Sequence, residues 1–366
     1  MNDLETLSDA ELLALKRDLE NDVARYDTYQ QAVKVCANSQ YGALGNSGFI
    51  FYDRRLTSSI TLSGQTIIRT IANALNKYLN KALKTDEKDY ILYSHTDSVV
   101  LSCHELVRQT FNDEIPDTDK IVDFLDRVGK AKFQQIIDEA IGKFTGYTNA
   151  KSPEVVTVKR EMIADKSIFI AKARYICRVH DNEGLRYTAP KIKSVGLEMI
   201  KSSTPHACRQ KLKQAVELIL NADNDELLEF VDRFREEFKV LPLAETAFPR
   251  GVNGLSQYLT ATKSIPIHVK GSLTYNRMLK KCHLNKEYPE IHEGEKIRFC
   301  YLKEPNPARS HVIAFPNDVL PTEFGLANYI DYSTQFEVSF ISPLKIITNP
   351  IGWKVEYVSS LQGFFS

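Results

Sequence analysis

The stretch "LYSHTDSVVLS", residues 92–102, sets Asp97 in a short gap between two apolar, β-branched runs. Runs at 90–93 and 98–103 with so short a gap predict a tight antiparallel hairpin with Asp97 on its turn. Such a turn is either an ordinary surface loop or a carboxylate presented for chemistry. His95, two residues before the aspartate, belongs to the same question.

Outward from the hairpin, the chain alternates helical and extended patterns. Toward the N-terminus, Ser8 and Glu11 have capping-box spacing, and Leu12, Leu15, Leu19 and Val23 recur at helical intervals, so a helix is expected from Asp9. A second helix is expected over 31–39, stopping at Gly42 and Gly45 in "YGALGN", and a third over 57–79 along Ile60, Ile67, Ile71, Leu75 and Tyr78. Beyond the hairpin, helix is expected at 121–144. Extended segments follow over 155–187, with a turn at "DNEG". From about residue 202, Thr204 and Pro205 resemble a helix start, another helix is expected over 226–238, and the proline-broken remainder predicts short elements. No internal repeat or low-complexity block occurs.

With 366 residues and 43% hydrophobic content, the chain has enough apolar surface for two or three folded units. Its 47 basic and 47 acidic side chains cancel, so net charge gives no support to a polyanion-binding role. Distribution says more: over 151–213 there are fourteen Lys or Arg against six Asp or Glu, and over 263–286 six basic residues and no acid. Each run is either a solvated face or a polyanion-binding one. Six cysteines without a CxxC pair fit a reduced protein, and the spacing of Cys282, His283, His292 and Cys300 lacks the close paired ligands of a zinc site. Neither a signal peptide nor a run of membrane-spanning length is present, so no membrane partner is expected.

Lys34, Asn38 and Tyr41 fall at i, i+4 and i+7 and share a helix face. A cation, an amide and a phenol projecting together suit a triphosphate, a sugar edge and a base pair; the bland alternative is helix packing and solvated surface. Here the resemblance becomes specific. "KVCANSQYGALGN" resembles the second polymerase motif of B-family DNA polymerases. "YSHTDSVV" resembles their third, a hairpin usually bearing Asp-Thr-Asp-Ser. The flanks "FYDRRLTSSITLSGQ" and "NKYLN", then "AKARY" and "GLEMIKSSTP", are similar to the replicative polymerases of T-even-like bacteriophages, and the similarity covers nearly the whole chain.

The resemblance implies an α+β fold: a palm with an antiparallel sheet and helices, partial helical fingers, and a mainly helical thumb with small β elements. It divides the chain into fingers helix (1–42), palm (43–201), thumb (202–356) and a clamp-binding-like tail (357–366). It implies nucleotidyl transfer at two Mg²⁺ ions. Such ions activate the primer hydroxyl and stabilise the attacking and leaving oxygens, and their preference for oxygen donors suits Asp97 and not His95. Asp97 is thus expected as catalytic residue and metal ligand. His95, Thr96, Ser98, Lys159 and Glu161 are expected as accessory residues. Lys159 stands where the phage-type sequence has an aspartate, and His95 likewise makes the pocket less acidic. Lys34 is expected to contact the incoming dNTP and to assist pyrophosphate departure, with Asn38, Tyr41 and Gly42 around the nascent base pair. Lys172, Arg174 and Tyr175 resemble the segment that holds the primer strand. Strand alternation would put Lys172 and Arg174 on one face, meeting primer-template phosphates.

The first polymerase motif, a "DxxSLYP"-like segment with the second metal-binding aspartate, does not occur, nor does a proofreading exonuclease. The chain alone is therefore expected to be inactive and to need an N-terminal chain carrying both, as one product of a split polymerase gene, with a truncated chain as the alternative. Leu361, Phe364 and Phe365 resemble a peptide that docks on a sliding clamp, and packing back onto the thumb is the other reading. The expected location is the cytoplasm of an infected bacterium. A DNA-binding, structural polymerase subunit with an impaired centre, suggested by His95 and Lys159, is the rival function.

Overall fold

The computed structural model describes residues 7–114, 116–197, 199, 201–259 and 264–357; Leu361, Phe364 and Phe365 lie outside them. The chain is α+β and forms two compact units, one of Met1–Ile115 with Val128–Lys159, the other of Pro116–Arg127 with Arg160–Ser366.

The first unit opens with α1 (Asp9–Leu44), whose start carries the predicted reciprocal Ser8–Glu11 cap. One helix of 36 residues replaces the two expected. Residues 22–30 contain neither Gly nor Pro, so nothing interrupts the backbone between the two expected segments. None of its residues is buried. The chain reverses at Gly45, where the Asp53 amide donates to the Leu44 carbonyl at 3.2 Å, and α2 (Arg54–Leu83) begins under an Asp53 cap missed in the sequence. Its buried face is Ile68, Ile71, Leu75, Leu79 and Leu83, whereas Ile60 is half exposed. This face packs on Ala140, Ile141 and Tyr90. Each fully buried apolar side chain there stabilises the unit by roughly 1.5–3 kcal/mol.

The predicted hairpin is β1 (Ile91–His95) paired antiparallel with β2 (Ser98–Leu101), followed by α3 (His104–Thr110). The helix expected at 121–144 runs as α4 (Thr118–Val128), a π-helical turn (Gly129–Phe133) and α5 (Gln134–Tyr147).

In the second unit, β3 (Met162–Ala171), β4 (Arg174–Asn182) and β5 (Leu185–Val195) form an antiparallel meander. Glu183 and Gly184, both at positive φ, make the two-residue β4–β5 turn, where "DNEG" predicted one. One sheet face contributes Ile168 and Ile176 to a core with α6 (His206–Asn221) and α7 (Asn224–Val240). The aromatic side chains Phe234, Phe238, Phe336 and Phe340 fill its centre. Thr204 does not cap α6; it is buried, and Pro205 occupies the cap position without a side-chain bond. After the one-turn α8 (Leu243–Thr246), a second core lies between β6 (Phe248–Gly251), β7 (Lys296–Tyr301), β8 (Val312–Phe315) and α9 (Ile267–Cys282), and α10 (Tyr332–Phe336) and α11 (Ser342–Thr348) close the order.

Candidate functional site

At the hairpin tip His95 pairs with Ser98, leaving Thr96 and Asp97 as a two-residue turn. The Asp97 amide donates to the His95 carbonyl at 2.7 Å, closing a three-residue turn centred on Thr96 at φ 51°. A β-branched residue is rarely found there, and the conformation costs on the order of 1–3 kcal/mol. Local bonds hold it: Ser98 Oγ also donates to the His95 carbonyl at 3.2 Å, and Thr96 Oγ1 and His95 Nδ1 are 3.0 Å apart. The imidazole lies parallel to the Tyr93 ring, 6.3 Å between centroids and 12° between planes. His95 therefore braces the tip through its carbonyl and ring.

Asp97 is exposed, and its carboxylate has no hydrogen-bond or ion-pair partner among the described residues. Such a carboxylate is the hard oxygen donor that Mg²⁺ takes. Among the described residues no three His, Cys, Asp or Glu side chains form a metal-holding group. The fit is that of one donor in a larger set, not of a complete shell.

Lys34, Asn38 and Tyr41 project from one continuous helix, all exposed, and the Tyr41 hydroxyl is 2.9 Å from Thr61 Oγ1 on α2. Lys34 and Asn38 have no partner among the described residues. A side chain at Gly42 would meet open space, so within this chain nothing requires glycine there.

On the three-stranded sheet, Lys172 and Ala173 form the β3–β4 turn, since Ala171 pairs with Arg174. Lys172 and Arg174 thus flank a reversal instead of alternating along one strand, because the positive φ of Ala173 (58°) ends β3 between them. The Tyr175 ring packs 5.9 Å from Phe169. Glu161 is ion-paired with Lys193, a residue sequence reasoning passed over; its signal was its place in the alternating "KIKSV" of β5, opposite Cys177. Burial alone would lower the Lys193 ammonium, but Glu161, with Tyr175 and Cys177 close by, holds its pKa above the ordinary value. Burial raises the Cys177 thiol against the opposing pull of Ser167 and Lys193. Lys159 is exposed, without a partner among the described residues. The candidate residues therefore form three local groups: a helix face, a hairpin tip and a sheet turn with the Glu161–Lys193 pair.

The sequence matches DNA polymerase family B over residues 11–319, and the chain belongs to that family. It is of the T4-like type. It is 30% identical to the DNA-directed DNA polymerase of Enterobacteria phage T4 over 379 residues, covering 100% of this chain and 42% of that protein. To the DNA-directed DNA polymerase of Escherichia phage RB69 it is 33% identical over 346 residues, 91% of this chain and 38% of the relative. DNA polymerase 1 of Pyrococcus abyssi is 25% identical over 212 residues, 58% of this chain and 22% of its own length. The chain thus spans about two fifths of the phage relatives' length. Among the described residues no helix is long and apolar enough to cross a membrane.

Proposed function

We propose that this chain is the palm and thumb part of a replicative DNA-directed DNA polymerase, holding primer-template DNA and supplying one metal-binding aspartate to template-directed nucleotidyl transfer. The observation that carries the reading is Asp97: an exposed carboxylate without an intramolecular partner among the described residues, on a braced two-residue turn, in a family B chain. Bound there, Mg²⁺ would supply activation of the primer hydroxyl and charge neutralisation at the triphosphate. Asp97 holds its oxygens at a turn fixed from below, so little reorganisation is needed when the ligand set is completed. Lys34 offers a cation to the dNTP phosphates. Asn38 and Tyr41 stand on the same helix face for the nascent pair, with Gly42 leaving room beside it.

Completion of the site requires a further segment, which we assign to an N-terminal chain carrying the exonuclease and the first polymerase motif. Support comes from α1. Leu12, Leu19, Tyr26 and Val33 recur every seven residues with Leu15 and Tyr29 between them, the seam of a helix that packs on another helix. Leu19 is 55% and Val33 70% exposed. The tail with Leu361, Phe364 and Phe365 is proposed to dock on a sliding clamp, and the site of action to be the infected bacterial cell. The domain boundaries at 42, 201 and 356 are part of the same proposal.

The test is magnesium-dependent primer extension by the chain together with its complementing chain. Asp97→Asn, which keeps shape and removes a charged ligand, is expected to lower the rate by at least about 100-fold. Extension that survives this substitution removes Asp97 from catalysis. Failure of the unaltered pair to extend a primer, with duplex binding retained, would instead establish a structural DNA-binding subunit, the reading favoured by His95 on the turn and by the exposed Lys159.

A further inference from the structure

The β3–β5 sheet treats its cations in two ways. Along the strands they are engaged within the chain: Lys166 Nζ donates to the Leu220 carbonyl at 2.7 Å, Arg178 pairs with Asp165, and Arg186 reaches Asp123 at 2.8 Å. Lys191 lies over the Tyr187 ring at 4.4 Å, and Lys193 holds Glu161. Only at the β3–β4 turn does the pattern change: Lys172 and Arg174 have no such partner among the described residues. The cations left for an outside anion are gathered at one reversal of the backbone.

That reversal rests on a residue 23 positions beyond Ala173. β5 ends at Val195, opposite Tyr175, and Gly196 then turns away at φ +70°. A Cβ on Gly196 would overlap the Ala173 carbonyl oxygen, far inside van der Waals contact, and would sit 3.0 Å from Arg174 Cγ and 3.4 Å from the Ala173 carbonyl carbon. These atoms are backbone and the base of a side chain, not a flexible end that swings aside. A larger residue must displace the turn itself. Gly184, in the β4–β5 turn of the same sheet, also has positive φ (+89°) but would place its Cβ in open space. One glycine therefore answers to backbone conformation alone, the other to conformation and to the turn above it.

We infer that Gly196 is a positioning residue for the Lys172–Arg174 turn: its missing side chain seats the Ala173 carbonyl and the Arg174 stem where the two unpartnered cations meet the phosphates of duplex DNA. The inference rests on the reading of this turn as the primer-holding element. A cation held on a rigid turn meets a phosphate at fixed geometry, and a misplacement of about 1 Å at such a site costs up to about 100-fold in function.

The experiment measures binding of a labelled primer-template duplex to the full chain by fluorescence anisotropy across a salt series. Gly196→Ala is expected to weaken binding about tenfold and to flatten the dependence of affinity on salt toward that of Lys172→Ala/Arg174→Ala, because fewer phosphates are neutralised. Gly184→Ala is expected to lower thermal stability while leaving affinity and salt slope as they are. Added to Arg174→Ala, Gly196→Ala should cost less than about twofold more, since the two act through one contact. If Gly196→Ala does not fold by circular dichroism, Ala173→Gly/Gly196→Ala, in which glycine at position 173 lets the turn shift with less backbone strain, takes its place with the same expected loss. A folded Gly196 variant with unaltered affinity and salt slope overturns the positioning role. Unaltered binding by Lys172→Ala/Arg174→Ala, by contrast, removes the primer-holding reading itself, whatever Gly196 does.

Discussion

At the residue scale the tension lies between Asp97 and His95. Asp97 brings a charge left unmatched among the described residues; His95 stands two residues away and contributes bracing instead of a second carboxylate. At about 4 Å and an effective dielectric of 40 to 80, a unit negative charge and a divalent cation attract by about 2–4 kcal/mol, part of which is offset by desolvation. His95→Asp is therefore expected to lower the magnesium concentration for half-maximal primer extension by about tenfold, 1.4 kcal/mol being a factor of ten. It also removes the Tyr93 stack and the Thr96 contact, so hairpin stability is expected to fall slightly. Titration of extension rate against magnesium checks this, with Asp97→Asn as the reference for a lost ligand. An unchanged magnesium requirement would mean that position 95 does not feel the ions.

At the element scale, α1 bears on the proposed assembly. Its apolar stripe is not a core face, because none of its residues is buried. Substitution there should leave the free chain almost untouched: Leu19→Arg with Val33→Arg is expected to change unfolding free energy by less than about 0.5 kcal/mol. The same pair should abolish co-purification with the complementing chain, since a buried arginine on a coiled-coil seam has no partner. Retained association would mean that another surface joins the two. What could be read from the sequence divides along similar lines. Local signals held: the Ser8–Glu11 cap, the hairpin around Asp97 and the turn at Glu183–Gly184 depend on residues within a few positions of one another. The single length of α1 differs from the two helices expected because residues 22–30 hold neither Gly nor Pro, and helix continues wherever no breaker intervenes. Thr204 was misplaced because a residue with capping chemistry found burial instead. The Glu161–Lys193 pair and the seat of Ala173 on Gly196 join positions 32 and 22–23 apart, and only strand register brings such residues together.

At the scale of the whole molecule, hydrophobic support is uneven, and stability should follow it. The second unit has two large cores, with Phe234 at 1% exposure and Phe238 fully buried among other aromatic rings. The first has, among the described residues, two small clusters, around Ile71 and Leu79, and a long helix, α1, that buries nothing. Burial is the main favourable term in folding, so the free chain should not unfold in a single step. The first unit is expected to open at lower temperature, with α1 amides exchanging hydrogen fastest and proteolysis beginning between residues 7 and 53. Phe234→Ala should destabilise the second unit by about 3–5 kcal/mol, through lost burial and the cavity it leaves, without altering the earlier transition. Calorimetry combined with hydrogen exchange separates these events. One cooperative transition, shifted as a whole by Phe234→Ala, would show that the units unfold together and that the small clusters draw their stability from the large ones. The proposed association with a second chain along α1 would add burial to the weaker unit alone, so it should raise the lower transition toward the upper one and slow α1 exchange most.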